Sequence, residues 1–253
     1  MKKLCKWIMV LCLAMALGAL AAHAADTVYV KDGGSGDGMS ASSPLGDLAD
    51  AIRALSDGGK VVLVGDTSVA KSAGYDASVG AFTAPATGGT LTLSAEGGAR
   101  LVFPDGARFF CTGDTTFENI TLYNAHKKTL VVAGRFFALT FGKGVAMDNI
   151  EVHVVGGMEH TNATVTVPDD DYSRDAHVSL ESGRFAEVTG LGRNTGKAAF
   201  NPNYTGAAYI TVGGDATVDK VFGAFRWGGK AQNTARVYIT LDGGAVTNFV
   251  TAC

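Results

Sequence analysis

The chain of 253 residues carries 21 Lys plus Arg against 24 Asp plus Glu, a formal net charge of −3 with His neutral. That mildly acidic balance lacks the basic footprint that nucleic acid or an anionic membrane surface requires. Four Cys make no dense disulfide framework, while 34 Gly, only 5 Pro and 47% hydrophobic residues point to many short strands joined by tight turns.

The first residues, MKKLCKWIMVLCLAMALGALAAHAADTVYV, have a basic start (Lys2, Lys3), an apolar middle (Leu11 to Leu20) and a small-x-small end, Ala22-His23-Ala24. This is the pattern of a secretory signal peptide, expected to be cut after Ala24, giving residues 1–24 as signal and 25–253 as the mature domain. No stop-transfer charges follow, so membrane insertion after cleavage is not expected. Met9-Val10-Leu11 before Cys12 does not fit a lipoprotein signal. Cleavage removes Lys2, Lys3 and Lys6, leaving 21 − 3 = 18 basic against 24 acidic residues, a net charge of −6. Cys5 and Cys12 also leave, and Cys111, in an apolar run, reads as a small core residue.

Thr27 to Val30 alternates as a first strand, and a loop, KDGGSGDGMSAS, follows. Its spacing does not match a calcium loop. SSPLGDLADAIRALSDGG predicts one helix, capped by Ser43, with Pro44 at its first position and Leu48, Ile52 and Leu55 as its apolar stripe. Gly58-Gly59 is expected to stop it. KVVLVGDTSV then reads as a buried strand. Beyond it helical periodicity is absent and short apolar runs recur, among them GTLTLSAEGGARLVF, TTFENITLYN and KTLVVAGRFFALTF.

The last third repeats openly. HVSLESGRFAEVTG, YITVGGDATVDKVFG and YITLDGGAVTNFV share an alternating strand, a Gly-centred turn and a second apolar segment. Aligning Leu180, Val212 and Leu241 gives steps of 212 − 180 = 32 and 241 − 212 = 29 residues, the spacing of a solenoid. Helical repeats would need amphipathic stretches that are missing, and propeller blades are longer. The expected fold is all-β: a right-handed parallel β-helix with an N-terminal amphipathic helix covering one end. Asn119, a polar residue among strands, is expected at a sharp turn between two sheets. YITLDGGAVTNFVTAC begins a repeat without a cap, so the domain is expected to lack its C-terminal coils or cap.

The segment TVYVKDGGSGDGMSASSPLGDLADAIRAL…GGKVVLVG resembles the N-terminal entry of secreted right-handed parallel β-helix proteins of the pectate-lyase-like superfamily, and GDTTFENITL resembles their mid-helix coils. The Gly-Gly repeats resemble coils of adhesin-like bacterial surface proteins. The resemblance implies a secreted or cell-surface address and either a scaffold that contacts polysaccharide or host glycan, or a polysaccharide lyase or glycoside hydrolase acting on acidic polysaccharides. It specifies a fold, and fold does not imply function. The hydrolase motifs N-T-D, D-D, G-H-G and R-I-K are not met: Asn194 to Gly196 reads NTG, and neither GHG nor RIK occurs. No cofactor is expected, and Ca²⁺ would enter only with the lyase alternative.

EVHVVGGMEHTNATVTVPDDDYSRDAH concentrates Glu151, His153, Glu159, His160, Asp169-Asp170-Asp171 and His177. Glu151 and His153 alternate and so share one side of a strand. His177 follows His153 by 177 − 153 = 24 residues, near one coil, which would stack the two imidazoles. Glu151, His153 and His177 are therefore the catalytic candidates, although a solvated outer face is the better reading of such residues, and no metal-ligand spacing is met. In FGAFRWGGKA, Arg226, Trp227 and Lys230 are the candidates for holding a sugar by stacking and charge. Packing of Trp227 over the flank is the structural alternative.

Overall fold

Short segments in which every second residue is Val, Leu, Ile or Phe can bury one face only by stacking on like segments, and that is how this chain folds. The computed structural model describes residues 25–55, 57–124, 130–147, 150–154, 173–190, 206–223 and 236–251. After β1 (Thr27–Val30), the chain winds through β2 (Gly59–Leu63), β3 (Thr67–Ser68), β4 (Tyr75–Asp76) and β5 (Ala81–Thr83). Next come β6 (Leu91–Ala95), β7 (Arg100–Phe103) and β8 (Arg108–Phe110), then β9 (Thr115–Phe117), β10 (Thr121–Asn124) and β11 (Leu130–Ala133). A further coil holds β12 (Leu139–Phe141), β13 (Ala146–Met147) and β14 (Ile150–His153).

Among the described residues the remaining coils show two strands each: β15 (Ala176–Leu180) with β16 (Arg184–Thr189), β17 (Ala207–Gly213) with β18 (Thr217–Phe222), and β19 (Arg236–Asp242) with β20 (Ala245–Thr251). Sheet A runs β1-β2-β6-β9-β12-β15-β17-β19, sheet B runs β3-β7-β10-β13, and sheet C runs β4-β5-β8-β11-β14-β16-β18-β20. The ladders are parallel, apart from the short antiparallel pairing of β4 with β5. The protein is an all-β parallel β-helix; among the described residues it is three-sided as far as β14 and two-sided from β15 onward. Among the described residues no helix is long and apolar enough to cross a membrane.

The register confirms the aligned repeat: Leu180 lies opposite Val212, and Val212 opposite Leu241. The same inward column contains Leu93, Phe117 and Phe141, with steps of 117 − 93 = 24 and 141 − 117 = 24 residues. From Phe141 to Leu180 the step is 180 − 141 = 39. Coil length is therefore not constant.

Inside the coils, phenylalanines stack along the axis. Ring centroids lie 5.3 Å apart for Phe82 and Phe109, 5.4 Å for Phe109 and Phe117, 5.2 Å for Phe117 and Phe141, and 5.1 Å for Phe141 and Phe185. Each such pair contributes about 0.5–1.5 kcal/mol beyond the apolar area it buries.

The helix, α1 (Leu48–Arg53), is shorter than expected and starts later. Its cap is Asp47, whose carboxylate accepts from the backbone N–H of Ala49 and Asp50. Ser43 and Pro44 do not begin it, because Leu45 bridges Val30 in a parallel pairing and holds this stretch extended beside β1. The apolar stripe is as expected, with Leu48, Ile52 and Leu55 all buried, and the helix packs against β1. It ends at the Ala54 cap rather than at the glycine pair.

Asn119 sits where β9 turns into β10, with φ +46°. A left-handed residue suits a corner, and Asn tolerates that conformation better than most side chains. Its N–H donates to Lys143 O in the next coil and its carbonyl accepts from Ala95 N in the previous one, so the corner repeats from rung to rung. In the two-sided coils glycine takes this role. At Gly214 (φ +53°) an added Cβ would stand 2.3 Å from Glu181 O, so a side chain there would break the turn.

Candidate functional site

Glu151 and His153 share the outer side of β14, since Ile150 and Val152 on the same strand join the core. Glu151 lies between Val131 and Glu187 in register, and His153 between Ala133 and Thr189. These outward residues are not solvated: Glu151 is 5% exposed, His153 1%, Glu187 2% and Thr189 0%. His153 Nε2 stands 3.6 Å from Glu151 Oε2, and Thr189 Oγ1 donates to Glu187 Oε1 at 3.3 Å. The expected solvated face is therefore corrected to a buried cluster of two carboxylates, an imidazole and a hydroxyl.

His177 does not join it. His177 belongs to β15 in sheet A, while His153 belongs to β14 in sheet C. The 24-residue spacing matches a coil elsewhere in the stack, but here the coil takes 39 residues, as the Phe141 to Leu180 step shows. Arg226, Trp227 and Lys230 lie outside the described residues, as do Glu159, His160 and Asp169 to Asp171.

His177 instead starts an exposed array on the outer face of sheet A. It lies opposite Tyr209, which lies opposite Tyr238. The rings stack face to face, with centroids 4.6 Å apart at 4° and 4.9 Å apart at 11°. Tyr209 has both faces covered by its neighbours and offers its ring edge and phenol hydroxyl, while His177 and Tyr238 end the row. Two residues along each strand comes a second row, Thr92, Thr116, Thr140, Ser179, Thr211 and Thr240, one hydroxyl per rung. Side chains on a parallel sheet repeat every 4.7–4.9 Å or so along the stack, so these hydroxyls form a regular line.

Where the strands of sheet A end, a cleft of about 460 Å³ opens. Ser179, Thr211, Glu181, Asp215, Asp242 and Lys143 line it with the glycine turns. The turns interlock: Asp215 N donates to Glu181 O at 2.9 Å and Gly214 N to Asp242 O at 3.1 Å. Ser182 Oγ donates to Gly142 O at 2.6 Å and accepts from Val145 N at 3.0 Å, tying the cleft to the preceding coil. The cleft is thus carried by a hydrogen-bonded ladder, a rigid support of the sort that makes binding sites selective. Three carboxylates face one ammonium, so its potential is negative at neutral pH.

Sequence reading missed this array, yet its signal was present. Written one under another, HVSLESG, YITVGGD and YITLDGG display the columns His177/Tyr209/Tyr238, Ser179/Thr211/Thr240 and Glu181/Gly213/Asp242. Alternation then assigns all three columns to the side opposite Val178, Leu180 and their equivalents.

Elsewhere the polar chemistry is structural. Asp66 grips Arg100 through a fork of side-chain hydrogen bonds that also holds the Arg100 backbone N–H. That grip keeps the Asp66 carboxyl below its ordinary range. Burial pushes the Cys111 thiol up to about 12, which makes it an inert core group, as its apolar surroundings suggested. Among the described residues no three His, Cys, Asp or Glu side chains gather closely enough to hold a metal ion. Comparison of the chain with protein-family models, with curated proteins and with solved structures found no match.

Proposed function

We propose that this protein is an exported, surface-displayed β-helix scaffold, adhesin-like and of the pectate-lyase-like type, that contacts glycans through the outer face of sheet A. The observation that carries this reading is the juxtaposition of a ring-edge row, a hydroxyl row and a carboxylate-lined cleft on coils β15 to β20. Sugars are recognised by dense hydroxyl and carboxylate hydrogen bonding beside aromatic carbon, and all three rows run along the solenoid axis, as a polymer would. The leader-like first 24 residues support export, and the acidic surface disfavours nucleic acid as a partner.

A second reading, a polysaccharide lyase or glycoside hydrolase with Ca²⁺ as its only conceivable cofactor, has one observation on its side. Glu151, Glu187 and His153 sit on adjacent rungs, and paired carboxylates with an imidazole suit acid–base work. Their burial weighs against it, because a polymer cannot reach groups that are 1–5% exposed.

The two readings separate in one assay on purified mature protein, offered neutral, acidic and amine-bearing polysaccharides and host glycans, with retention and product release read together. A binding scaffold retains glycan without releasing product and loses retention in a Tyr209→Ala, Tyr238→Ala variant. Product release that disappears in a folded His153→Ala variant would establish the enzyme reading instead.

A further inference from the structure

We infer that the cleft takes an extended β-linked glycan bearing free amino groups, laid along the solenoid axis, and that it rejects polyuronates. This inference rests on the glycan-contact reading and deepens it. Continued one residue past the paired strands, the register sets Glu118, Gly142, Glu181, Gly213 and Asp242 in a third column; Gly142 lies beside Glu118 and Glu181, and Gly213 pairs with Asp242. Acids and glycines therefore alternate. Like charges on neighbouring rungs repel, and the alternation relieves that repulsion. At Gly142 it leaves a notch between Glu118 and Glu181, whereas at Gly213 the Asp242 carbonyl, 3.0 Å from an added Cβ, closes the gap. A Cβ at Gly142 would stand 4.0 Å from Glu181 Oε2, so that carboxylate borders the space the glycine leaves open.

Carboxylates two rungs apart repeat about every 9.5 Å along the axis. That is the scale of the two-sugar repeat of an extended β-linked chain, in which every second sugar presents the same groups to the same side. The hydroxyls of Ser179 and Thr211 line the cleft on adjacent rungs and can donate to or accept from each sugar in turn.

Charge then selects among such chains. Glu118 is already paired, its Oε1 standing 2.5 Å from Lys60 Nζ. Glu181, Asp215 and Asp242 surround the cleft with Lys143 as its cation. A polyuronate would bring one carboxylate per sugar into that field, whereas an amine on alternate sugars would meet Glu181 and Asp242.

The test is calorimetric titration of the full mature chain with glucosamine, N-acetylglucosamine and galacturonate oligomers of equal length, at low and raised ionic strength. Two variants accompany it, Glu181→Gln with Asp242→Asn, and Thr211→Lys, all outward-facing, with circular dichroism as the check of folding. The inference expects the glucosamine oligomer to bind about 10-fold or more tightly than its acetylated analogue, with affinity falling as salt rises. It expects a similar loss in the double variant, abolition in Thr211→Lys, and no binding of the galacturonate oligomer to the unaltered chain. Thr211→Lys answers the question by itself if the double variant does not fold. Tighter binding of the galacturonate oligomer, or amine-oligomer affinity indifferent to both variants, overturns the inference. Equal binding of acetylated and free-amine oligomers that Thr211→Lys still weakens overturns the amine preference and leaves the glycan-contact reading standing. Silence of all three oligomers overturns both.

Discussion

The two halves of the solenoid solve one packing problem differently. From β2 to β14 each coil turns two corners to visit three sheets, and its strands are short, two to five residues. From β15 onward each coil turns directly from sheet A to sheet C, and its strands lengthen to five to seven residues. The first half invests its aromatic residues inside, in the Phe82 to Phe141 stack, while the second carries a stacked row outside, His177 to Tyr238. The longer strands of the later coils present a longer outer face. On the glycan-contact proposal, stability and recognition would be separated along one axis, with the three-sided coils as the base and the outer face of the later coils as the contact surface.

The comparison is most directly broken at its seam. Phe141 stacks on Phe117 in the three-sided half and meets Phe185 in the two-sided half. Phe141→Ala should cost about 3–5 kcal/mol and split a single denaturant transition into two, as seen by circular dichroism and tyrosine fluorescence. A single transition at unchanged midpoint would mean that the halves are not coupled through the ring stack.

A smaller effect is expected at the start of the stack. Asp47 caps α1 and also accepts from Ser72 Oγ and Ala73 N, binding the helix to the turn after β3. Asp47→Ala should cost about 1–2 kcal/mol in chemical denaturation. Burial pushes the Asp47 carboxyl up, but donors at Ala73, Ser72, Asp50 and Ala49 outweigh it and hold it below the usual range. A lowered folded value means stability that is complete above the ordinary carboxylate value of about 3.9 and is lost as pH falls through the folded value. Asp47→Asn should therefore flatten that part of the acid-side loss.

The outer rows should matter least for folding. Tyr209→Ala removes two ring stacks at a half-buried site and should cost about 1–2 kcal/mol, while abolishing glycan retention. Lys60→Ala breaks an exposed pair with Glu118, and its expected cost is under about 1 kcal/mol, vanishing in high salt. Comparable losses at Tyr209 and Phe141 would erase the proposed division between base and face.

Much of this division was legible in the sequence, because alternation and Gly turns report which residues face inward. The 32- and 29-residue steps at Leu180, Val212 and Leu241 match the register. What misled was coil length. His153 and His177 are one coil apart only if coils are equal, and the long segment after β14 makes them unequal. The cap of α1 was misplaced for a similar reason: Ser43-Pro44 is locally a good helix start, but the bridge between Leu45 and Val30 is a tertiary contact that local preference cannot anticipate. Burial of Glu151 and His153 was equally hidden, since alternation tells which side a residue takes and not whether that side is covered.

The central claim is that the outer face of the two-sided coils is the recognition surface. Hydrogen–deuterium exchange of the mature chain, with and without the tightest-binding glycan, tests it most directly. The account predicts new protection at residues 177–182, 209–215 and 238–242 and none at the equivalent outer rungs around Thr92 and Thr116. Protection centred on Glu151 to His153, or spread over the three-sided coils, would contradict it.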